Sequence, residues 1–258
     1  MTVCQVNKNM VAVILLMAST YVLMAQSLDK KKYVTKAIGN SEPPSIDGKI
    51  NEAVWDMVEW GGDFIEQRPD DNTPPSFQTK FKVLYDDKNL YFAIRAFDNA
   101  PDSIVRRMGR RDDLDGDWVE VDIDSYHDLR TGFSFLVTAS GVKGDEFISN
   151  NGDNWDTSWN PIWYTKTTID DKGWSAEMKI PLSQLRFNHD KEQIWGLQVL
   201  RRFFRNDERS LWQRIPQDAP GWVSEIGELH GLKNLSPQKQ LEIQPFVVNR
   251  LETYEKEQ

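Results

Sequence analysis

Cysteine is almost absent from this chain of 258 residues, since Cys4 is the only one. A single cysteine excludes an intramolecular disulfide framework and the usual multi-cysteine zinc sites. Long apolar runs are also missing after residue 25, so the sequence predicts no membrane span beyond that point. Positive charge is in deficit, with 31 Lys and Arg against 40 Asp and Glu. This balance argues against nucleic acid as a partner, because such binding needs a basic surface.

The N-terminus carries the one strongly apolar stretch. Residues 10–25 form a nearly uncharged run that follows Lys8 and ends in Ala25. A positive residue, a short apolar run and a small final residue are typical of a secretory signal peptide. We predict a signal peptide over residues 1–25 and export to the periplasm, the outer membrane or the extracellular space. A single membrane anchor is the alternative.

Beyond this stretch, the residue pattern predicts a β-rich domain. Residues 26–44 are polar and end in two prolines, which predicts a linker. Asn51 is a candidate N-cap for a short predicted helix, and no apolar run with a helical period follows residue 60. Segments in which every second residue is apolar recur instead, at residues 77–85, 90–96, 117–124, 132–139, 162–169, 173–180, 194–204, 211–215 and 228–235.

Nine or more short strands separated by Gly, Pro, Asn and Asp predict an all-β fold. The architecture is an antiparallel β-sandwich of the jelly-roll or immunoglobulin-like type, with one short N-terminal helix. We assign residues 45–236 to this sandwich. Residues 240–258 begin a further strand and then stop, which predicts the start of a truncated, β-rich second domain.

The acidic strand 117–124 is the most informative segment for function. Its alternation places Val119, Val121 and Ile123 on one face and Trp118, Glu120 and two aspartates on the other. An aromatic ring beside carboxylates can stack a sugar ring and accept hydrogen bonds from its hydroxyls. A solvated polar face is the alternative interpretation.

Aspartates cluster just before this strand. Asp113, Asp115 and Asp117 are candidate ligands for calcium, which takes six to eight oxygens. Their order differs from that of an EF-hand, and a solvated acidic turn is the alternative. Calcium is therefore the metal cofactor that these residues suggest.

A tryptophan-rich segment follows at residues 154–163. Trp155, Trp159 and Trp163 are spaced by four, but Pro161 favours a loop that enters a strand over a helix. Trp163 belongs to the alternating strand and is predicted to lie in the core. Trp155 and Trp159 are predicted either to contact a ligand or to cover one end of the sandwich.

Catalytic signatures are lacking. The three histidines are scattered and have neither zinc-binding nor nucleophile spacing. Two carboxylates suffice for glycoside hydrolysis, but 40 acidic residues make pairs inevitable. Haem binding would need axial ligands on facing strands, for which Met178 and His230 are the candidates.

Four short motifs in order resemble family 9 carbohydrate-binding modules. They are Ile46-Asp47-Gly48 with Glu52-Ala53-Val54-Trp55, the hairpin Val83–Tyr91, Asp117-Trp118-Val119-Glu120 to Asp124, and Gly173-Trp174-Ser175-Ala176-Glu177 to Pro181. The resemblance covers about residues 40–235. It implies a β-sandwich related to DOMON folds, sugar binding, and structural calcium in some members. It also implies a covalent C-terminal β-rich domain.

The resemblance also implies site residues. Glu120 falls on the family's strand glutamate, Gln198 on a glutamine of a later strand, and Trp222 on one of two tryptophans that clamp a sugar. Leu114 stands at the other clamp position, and Leu136 stands where the family has an arginine.

The sequence therefore predicts a secreted module that binds an oligosaccharide or polysaccharide without catalysis and targets a larger protein in glycan breakdown. Trp118, Trp155 and Trp159 are additional candidate stacking residues. One alternative is part of a glycoside hydrolase acting on O-glycosyl bonds. Another is a docking or structural domain at the cell surface with a degenerate sugar site.

Overall fold

The computed structural model of the protein describes residues 29–237 together with Val247 and Val248. The predicted signal peptide and nearly all of the predicted second domain lie outside these residues, so both stay predictions. Within the described part of the chain, no helix is long and apolar enough to cross a bilayer.

Residues 29–237 form fourteen strands joined by turns and short 3-10 helices. The strands are β1 (Lys32–Val34), β2 (Lys36–Ala37), β3 (Ile65–Arg68), β4 (Thr79–Tyr85), β5 (Asn89–Phe97), β6 (Trp118–Asp124), β7 (Gly132–Thr138), β8 (Lys143–Ser149), β9 (Asn154–Asp156), β10 (Tyr164–Asp170), β11 (Gly173–Pro181), β12 (Glu192–Phe203), β13 (Glu208–Leu211) and β14 (Gly227–Lys233). The 3-10 helices are Ala53–Met57, Pro101–Ser103, Asn150–Gly152, Leu182–Gln184 and Phe204–Asn206.

The strands form two sheets packed as a sandwich, which confirms the predicted fold class. The larger sheet has nine strands in the order β1-β14-β12-β6-β7-β8-β9, extended by β13 on β12 and by β3 on β13. The smaller sheet has the order β10-β11-β5-β4-β2. Pairing is antiparallel except between β1 and β14 and between β2 and β4.

The residues predicted as a linker contribute to both sheets. Residues 26–44 include β1, which joins the larger sheet, and β2, which joins the smaller one. Thr35 lies between them, and its hydroxyl donates to the Val83 carbonyl at 2.7 Å. Strands this short carry too little hydrophobic pattern to be recognised without their partners.

The core lies between the sheets and follows the predicted alternation. Val119, Val121 and Ile123 of β6 are fully buried there, opposite Phe92 and Ile94 of β5. The predicted helix is the 3-10 helix Ala53–Met57, which packs on the outer face of the smaller sheet. Strands β3, β8, β9 and β13 were not predicted, because their polar sequences lack a clear apolar face, and of the predicted segment 211–215 only Leu211 belongs to a strand.

A carboxylate anchors the turn at Ile46-Asp47-Gly48 to the smaller sheet. Glu177 Oε2 accepts the backbone N–H groups of Asp47 and Gly48 at 3.1 and 2.9 Å, and its Oε1 accepts the Trp55 indole N–H at 3.1 Å. Gly48 has φ +90°, and a Cβ there would lie 2.8 Å from the Thr167 carbonyl carbon. The two motifs are therefore separate in sequence but form one contact.

We predict that Glu177→Ala destabilises the fold by about 3 kcal/mol, because it leaves three N–H donors without their acceptor. Urea unfolding followed by tryptophan fluorescence measures this loss. The control is Glu192→Ala, whose exposed ion pair with Lys233 at 3.4 Å should contribute less than about 0.5 kcal/mol. A loss below about 1 kcal/mol for Glu177→Ala would contradict the anchoring role.

Candidate functional site

A cavity of about 540 Å³ opens on the outer face of the larger sheet. Several strands of this sheet, β3 among them, line it, and the loop between β13 and β14 forms its rim. Lining side chains include Trp118, Glu120, Leu136, Glu146, Trp155, Arg202, Arg209 and Trp222. These residues span more than 100 positions in sequence, so only the tertiary structure brings them together.

Strand alternation and a covering loop explain why polar groups are buried here. Trp118, Glu120 and Asp122 point away from the core because their neighbours on β6 point into it. A small apolar cluster on the same outer face, which includes Leu200, Leu211 and Ile226, packs against the covering loop. The polar face of β6 is therefore largely enclosed, and Glu120 on this face lines the cavity.

Two loops are joined at the rim of the cavity. The Asn151 carbonyl accepts the Trp222 backbone N–H at 2.7 Å, and the Asn151 side chain accepts the Ser224 N–H at 2.8 Å. Gly152 has φ +101°, and a Cβ there would lie 2.6 Å from Trp222 Cβ. A side chain at position 152 would therefore displace the tryptophan.

Hydrogen bonds fix the orientation of two tryptophan rings. Trp222 Nε1 donates to Asp122 Oδ2 at 2.7 Å, and Trp155 Nε1 donates to the Gly152 carbonyl at 2.7 Å. The two ring centroids are 6.0 Å apart in an edge-on arrangement. The Arg209 guanidinium lies 4.9 Å from the Trp222 ring centre and covers one face of that ring.

Buried carboxyls dominate the electrostatics of the cavity. Burial, and then the neighbouring Asp122, raise the pKa of Glu120 well above its usual value, and Ser134 Oγ donates to Glu120 Oε1 at 3.0 Å. Burial, and then the charges of Glu120 and Asp112, raise the pKa of Glu146 to about 7. Near neutral pH, the cavity therefore offers both carboxyl donors and carboxylate acceptors.

Four of the predicted binding residues meet in this cavity: Trp118, Glu120, Trp155 and Trp222. Leu136, the position where an arginine was expected, also lines it. A guanidinium is nevertheless present, because Arg209 enters from β13, the strand paired with β12.

Gln198 and Trp159 lie elsewhere. Gln198 is fully buried, and its side-chain amide donates to the Gln213 carbonyl at 2.8 Å and accepts the Gln213 N–H at 2.9 Å. Trp159 packs against Phe133 and Phe135, with centroid distances of 5.0 and 5.5 Å. Gln198 thus holds the chain after β13, and Trp159 covers the core, the second of the two roles predicted for it.

Comparison with known proteins identifies the family. The family described as carbohydrate family 9 binding domain-like matches residues 46–211, which is more than half of the chain. The chain belongs to this family. A search of curated proteins found no match.

Solved structures share the family 9 fold. A family 9 carbohydrate-binding module from Caldicellulosiruptor kristjanssonii, in complex with cellotriose, aligns with a TM-score of 0.58 and 21% identity, over 83% of this chain and 100% of the other. Its complex with glucose aligns with a TM-score of 0.57 and 20% identity over the same shares of the two chains. A putative carbohydrate-binding protein from Bacteroides uniformis aligns with a TM-score of 0.62 and 13% identity, over 78% and 99%.

Leu114, which stands at the family's other clamp position, packs beside the cavity. A Cβ on Gly144 of β8 would lie 3.0 Å from the Leu114 side chain, and Gly144 pairs across the sheet with Leu136. Leu114 thus lies next to a lining residue without being one of the residues described as lining the cavity. Trp118 and Trp155 supply the aromatic surface instead.

The aspartates predicted to bind calcium do not converge. Asp117 is buried and accepts the Val105 N–H at 2.9 Å, whereas Asp115 pairs with Arg107 at 2.6 Å and Asp113 is exposed. Asp117 directly precedes β6, and the chain turns away before it. Calcium binding at these positions stays an untested prediction that the geometry does not favour.

Three other carboxyl groups lie close enough to one another to bind one cation. Among the described residues, oxygens of Asp47, Glu52 and Glu177 lie within 4.8 Å of one another. All three residues already accept N–H groups, including the Lys49 N–H on Asp47 and the Ser45 N–H on Glu52. These oxygens serve the turn, so the set does not fit calcium's demand for six to eight available ligands.

The haem alternative fails on geometry. Met178 is buried in the core between the sheets. His230 follows the core residue Leu229 on β14 and therefore points the opposite way, with Nε2 2.7 Å from Glu228 Oε2. The two side chains cannot ligate one iron.

Three residues that line the cavity were not predicted from the sequence: Glu146, Arg209 and Asn151. Glu146 and Arg209 lie on strands whose polar sequences gave no clear pattern. Asn151 has φ 60°, a left-handed conformation that asparagine tolerates, and the Asn150-Asn151-Gly152 sequence was the available signal for such a turn.

We predict that Glu146 makes the protein less stable as the pH rises from 4.5 towards 7. Its folded pKa of about 7 lies above the ordinary value of 4.5, so over this range the unfolded chain loses the proton first. The Tm of Glu146→Gln should therefore decrease less between pH 5 and pH 8 than the Tm of the wild type. The exposed control Glu192→Gln should match the wild type, and equal pH profiles for all three proteins would contradict the prediction.

Proposed function

We propose that the cavity on the larger sheet binds a carbohydrate without catalysing its breakdown. The observation that carries this proposal is the lining itself, in which Trp118, Trp155 and Trp222 surround Glu120, Glu146 and Arg209. Sugar C–H groups pack on aromatic surfaces, while hydroxyls need polar partners held in fixed positions. The structural relatives bound to cellotriose and glucose support a β-linked glucan as the first ligand to test.

The polar groups of the cavity are arranged before any ligand arrives. Asp122 and the Gly152 carbonyl hold the Trp222 and Trp155 rings, and Ser134 holds Glu120. Side chains already fixed in place lose little conformational entropy on binding, which favours measurable affinity from a small contact area. Carboxyl and guanidinium groups together can accept from and donate to the same sugar hydroxyls.

We further propose that the module is exported and directs a larger polypeptide to its glycan. The apolar segment at residues 10–25 supports export, and the strand-like sequence after Gln240 supports a covalently attached β-rich domain. Detection of the mature N-terminus by mass spectrometry after expression in a bacterial host tests export. Cleavage after Ala25 is expected, and an intact N-terminus would contradict it.

We predict that cellotriose changes the intrinsic tryptophan fluorescence in a saturable way. Trp155→Ala should weaken this binding by about fivefold, because one stacked ring contributes on the order of 1 kcal/mol. The control is Trp60→Ala, since Trp60 is exposed and does not line the cavity. Unchanged affinity in Trp155→Ala, or no saturable response of the folded protein to any neutral oligosaccharide, would contradict the proposal.

Glycoside hydrolases use a pair of carboxyl groups, and Glu120 and Glu146 line the same cavity. The cellotriose samples are therefore also assayed for hydrolysis. We expect cellotriose to remain intact after prolonged incubation, as judged by chromatography. Release of glucose and cellobiose, lost in both Glu120→Gln and Glu146→Gln, would instead support the glycoside hydrolase alternative. A folded protein without a sugar response would support the docking-domain alternative.

A further inference from the structure

A second groove lies on the outer face of the smaller sheet, on the side of the sandwich away from the carbohydrate cavity. Its volume is about 700 Å³, within the range of small-ligand sites. Strands β10 and β11 form its floor, and residues 43–46 form one wall. Lys143, at the start of β8, reaches it from the larger sheet.

The charge of this groove is opposite to that of the chain. Lys143, Lys166 and Lys179 line it together with a single carboxylate, Asp86, whereas the whole chain has a formal net charge of −9. Asp86 Oδ2 accepts the Tyr91 hydroxyl at 2.7 Å, and its Oδ1 accepts backbone N–H groups of the β4–β5 turn. Asp86 is thus engaged within its own hairpin.

The three lysines form no salt bridge with any carboxylate of the described residues. Two acidic residues lie nearby but are occupied. Glu177, opposite Lys166 across the β10–β11 pair, accepts N–H groups of the Ile46-Asp47-Gly48 turn and Trp55. Asp145 is fully buried between Arg111 and the Trp163 indole. The charges of Lys166 and Lys179 are therefore available to a ligand.

Lys143 is held in position within the groove. Its Nζ donates to the Trp163 carbonyl at 3.0 Å and lies 5.3 Å from the centre of the Trp163 ring. Burial, and then the neighbouring Arg111, lower the pKa of Lys143, whereas the charge of Asp145 raises it.

An aromatic ring adjoins the lysines. Tyr164 is 52% exposed, and Lys179 Nζ lies 5.2 Å from its ring centre. Lys166 lies two residues further along β10 and therefore on the same face. The Asn89 side chain and Ser45 add polar groups at the wall. Ammonium groups beside an exposed ring suit a ligand that has both a carboxylate and an apolar ring face.

We propose that this groove is a second binding site, which takes an oligosaccharide carrying uronate carboxylates. Lys166 and Lys179 bind the carboxylates of neighbouring sugars, and Tyr164 contacts a ring face. The site lies on a different sheet from the carbohydrate cavity and does not depend on it. The module would then hold two glycans, a neutral one and an acidic one, on its two outer faces.

Isothermal titration with trigalacturonate tests this site on the full chain. Binding should weaken by about tenfold or more in the double variant Lys166→Gln/Lys179→Gln, because two ion pairs are removed. The matched control is Lys172→Gln/Lys191→Gln, which removes the same charge from exposed lysines outside the groove. Circular dichroism verifies that both variants fold.

Three further binding measurements test whether the carboxylates are recognised and which of the two sites binds the ligand. Methyl-esterified trigalacturonate should bind weakly, inorganic phosphate should not compete at equal concentration, and Trp155→Ala should leave the affinity for trigalacturonate unchanged. Equal losses in the two lysine double variants would overturn the proposal, as would competition by phosphate or the absence of binding. Loss of binding in Trp155→Ala would place the acidic sugar in the other cavity and overturn the second site without affecting the first.

Discussion

The hydrogen bond between Trp222 Nε1 and Asp122 Oδ2, 2.7 Å long, is the contact on which the carbohydrate cavity depends. Asp122 lies in the middle of the larger sheet, and Trp222 lies in the loop that covers that sheet. The bond joins a rigid strand to an irregular segment and fixes the plane of an indole ring. Asn151 and Gly152 complete the attachment from the neighbouring loop.

Burial of two carboxyl groups under that loop disfavours their charged forms, and neighbouring side chains partly offset this cost. Glu120 and Asp122 are both enclosed, and burial raises the pKa of each. Ser134, Trp222 and the positive charge of Arg209 favour their charged forms. Arg209, which lines the cavity, has a buried Nε without a hydrogen-bond partner.

The ten tryptophans divide between the two roles that the composition left open. Trp55, Trp163, Trp174, Trp195 and Trp212 are buried, and Trp159 packs against the core from its edge. Trp118, Trp155 and Trp222 line the cavity, and Trp60 is exposed on another part of the surface. The high tryptophan content therefore reflects both a large β core and an aromatic cavity lining.

Much of this protein was predictable from local sequence. Alternation in strands such as β6 and β11 determined the sandwich and its core residues, because the period of two is a property of the strand itself. Four short motifs indicated the family, and four of the candidate binding residues, Trp118, Glu120, Trp155 and Trp222, lie together in one cavity. Local sequence did not predict β1 and β2 within residues 26–44. These short strands form by pairing with β14 and β4, which are distant in sequence.

The tertiary structure alone decided which of the candidate residues meet. It assigned Gln198 to the backbone of Gln213, separated Asp113, Asp115 and Asp117, and brought Arg209 and Glu146 to the cavity. Similarly, only the packing of residues 43–46 and β8 against β10 creates the lysine groove. The physical reason is that a local pattern determines which face a side chain takes, whereas strand pairing and loop packing determine its neighbours.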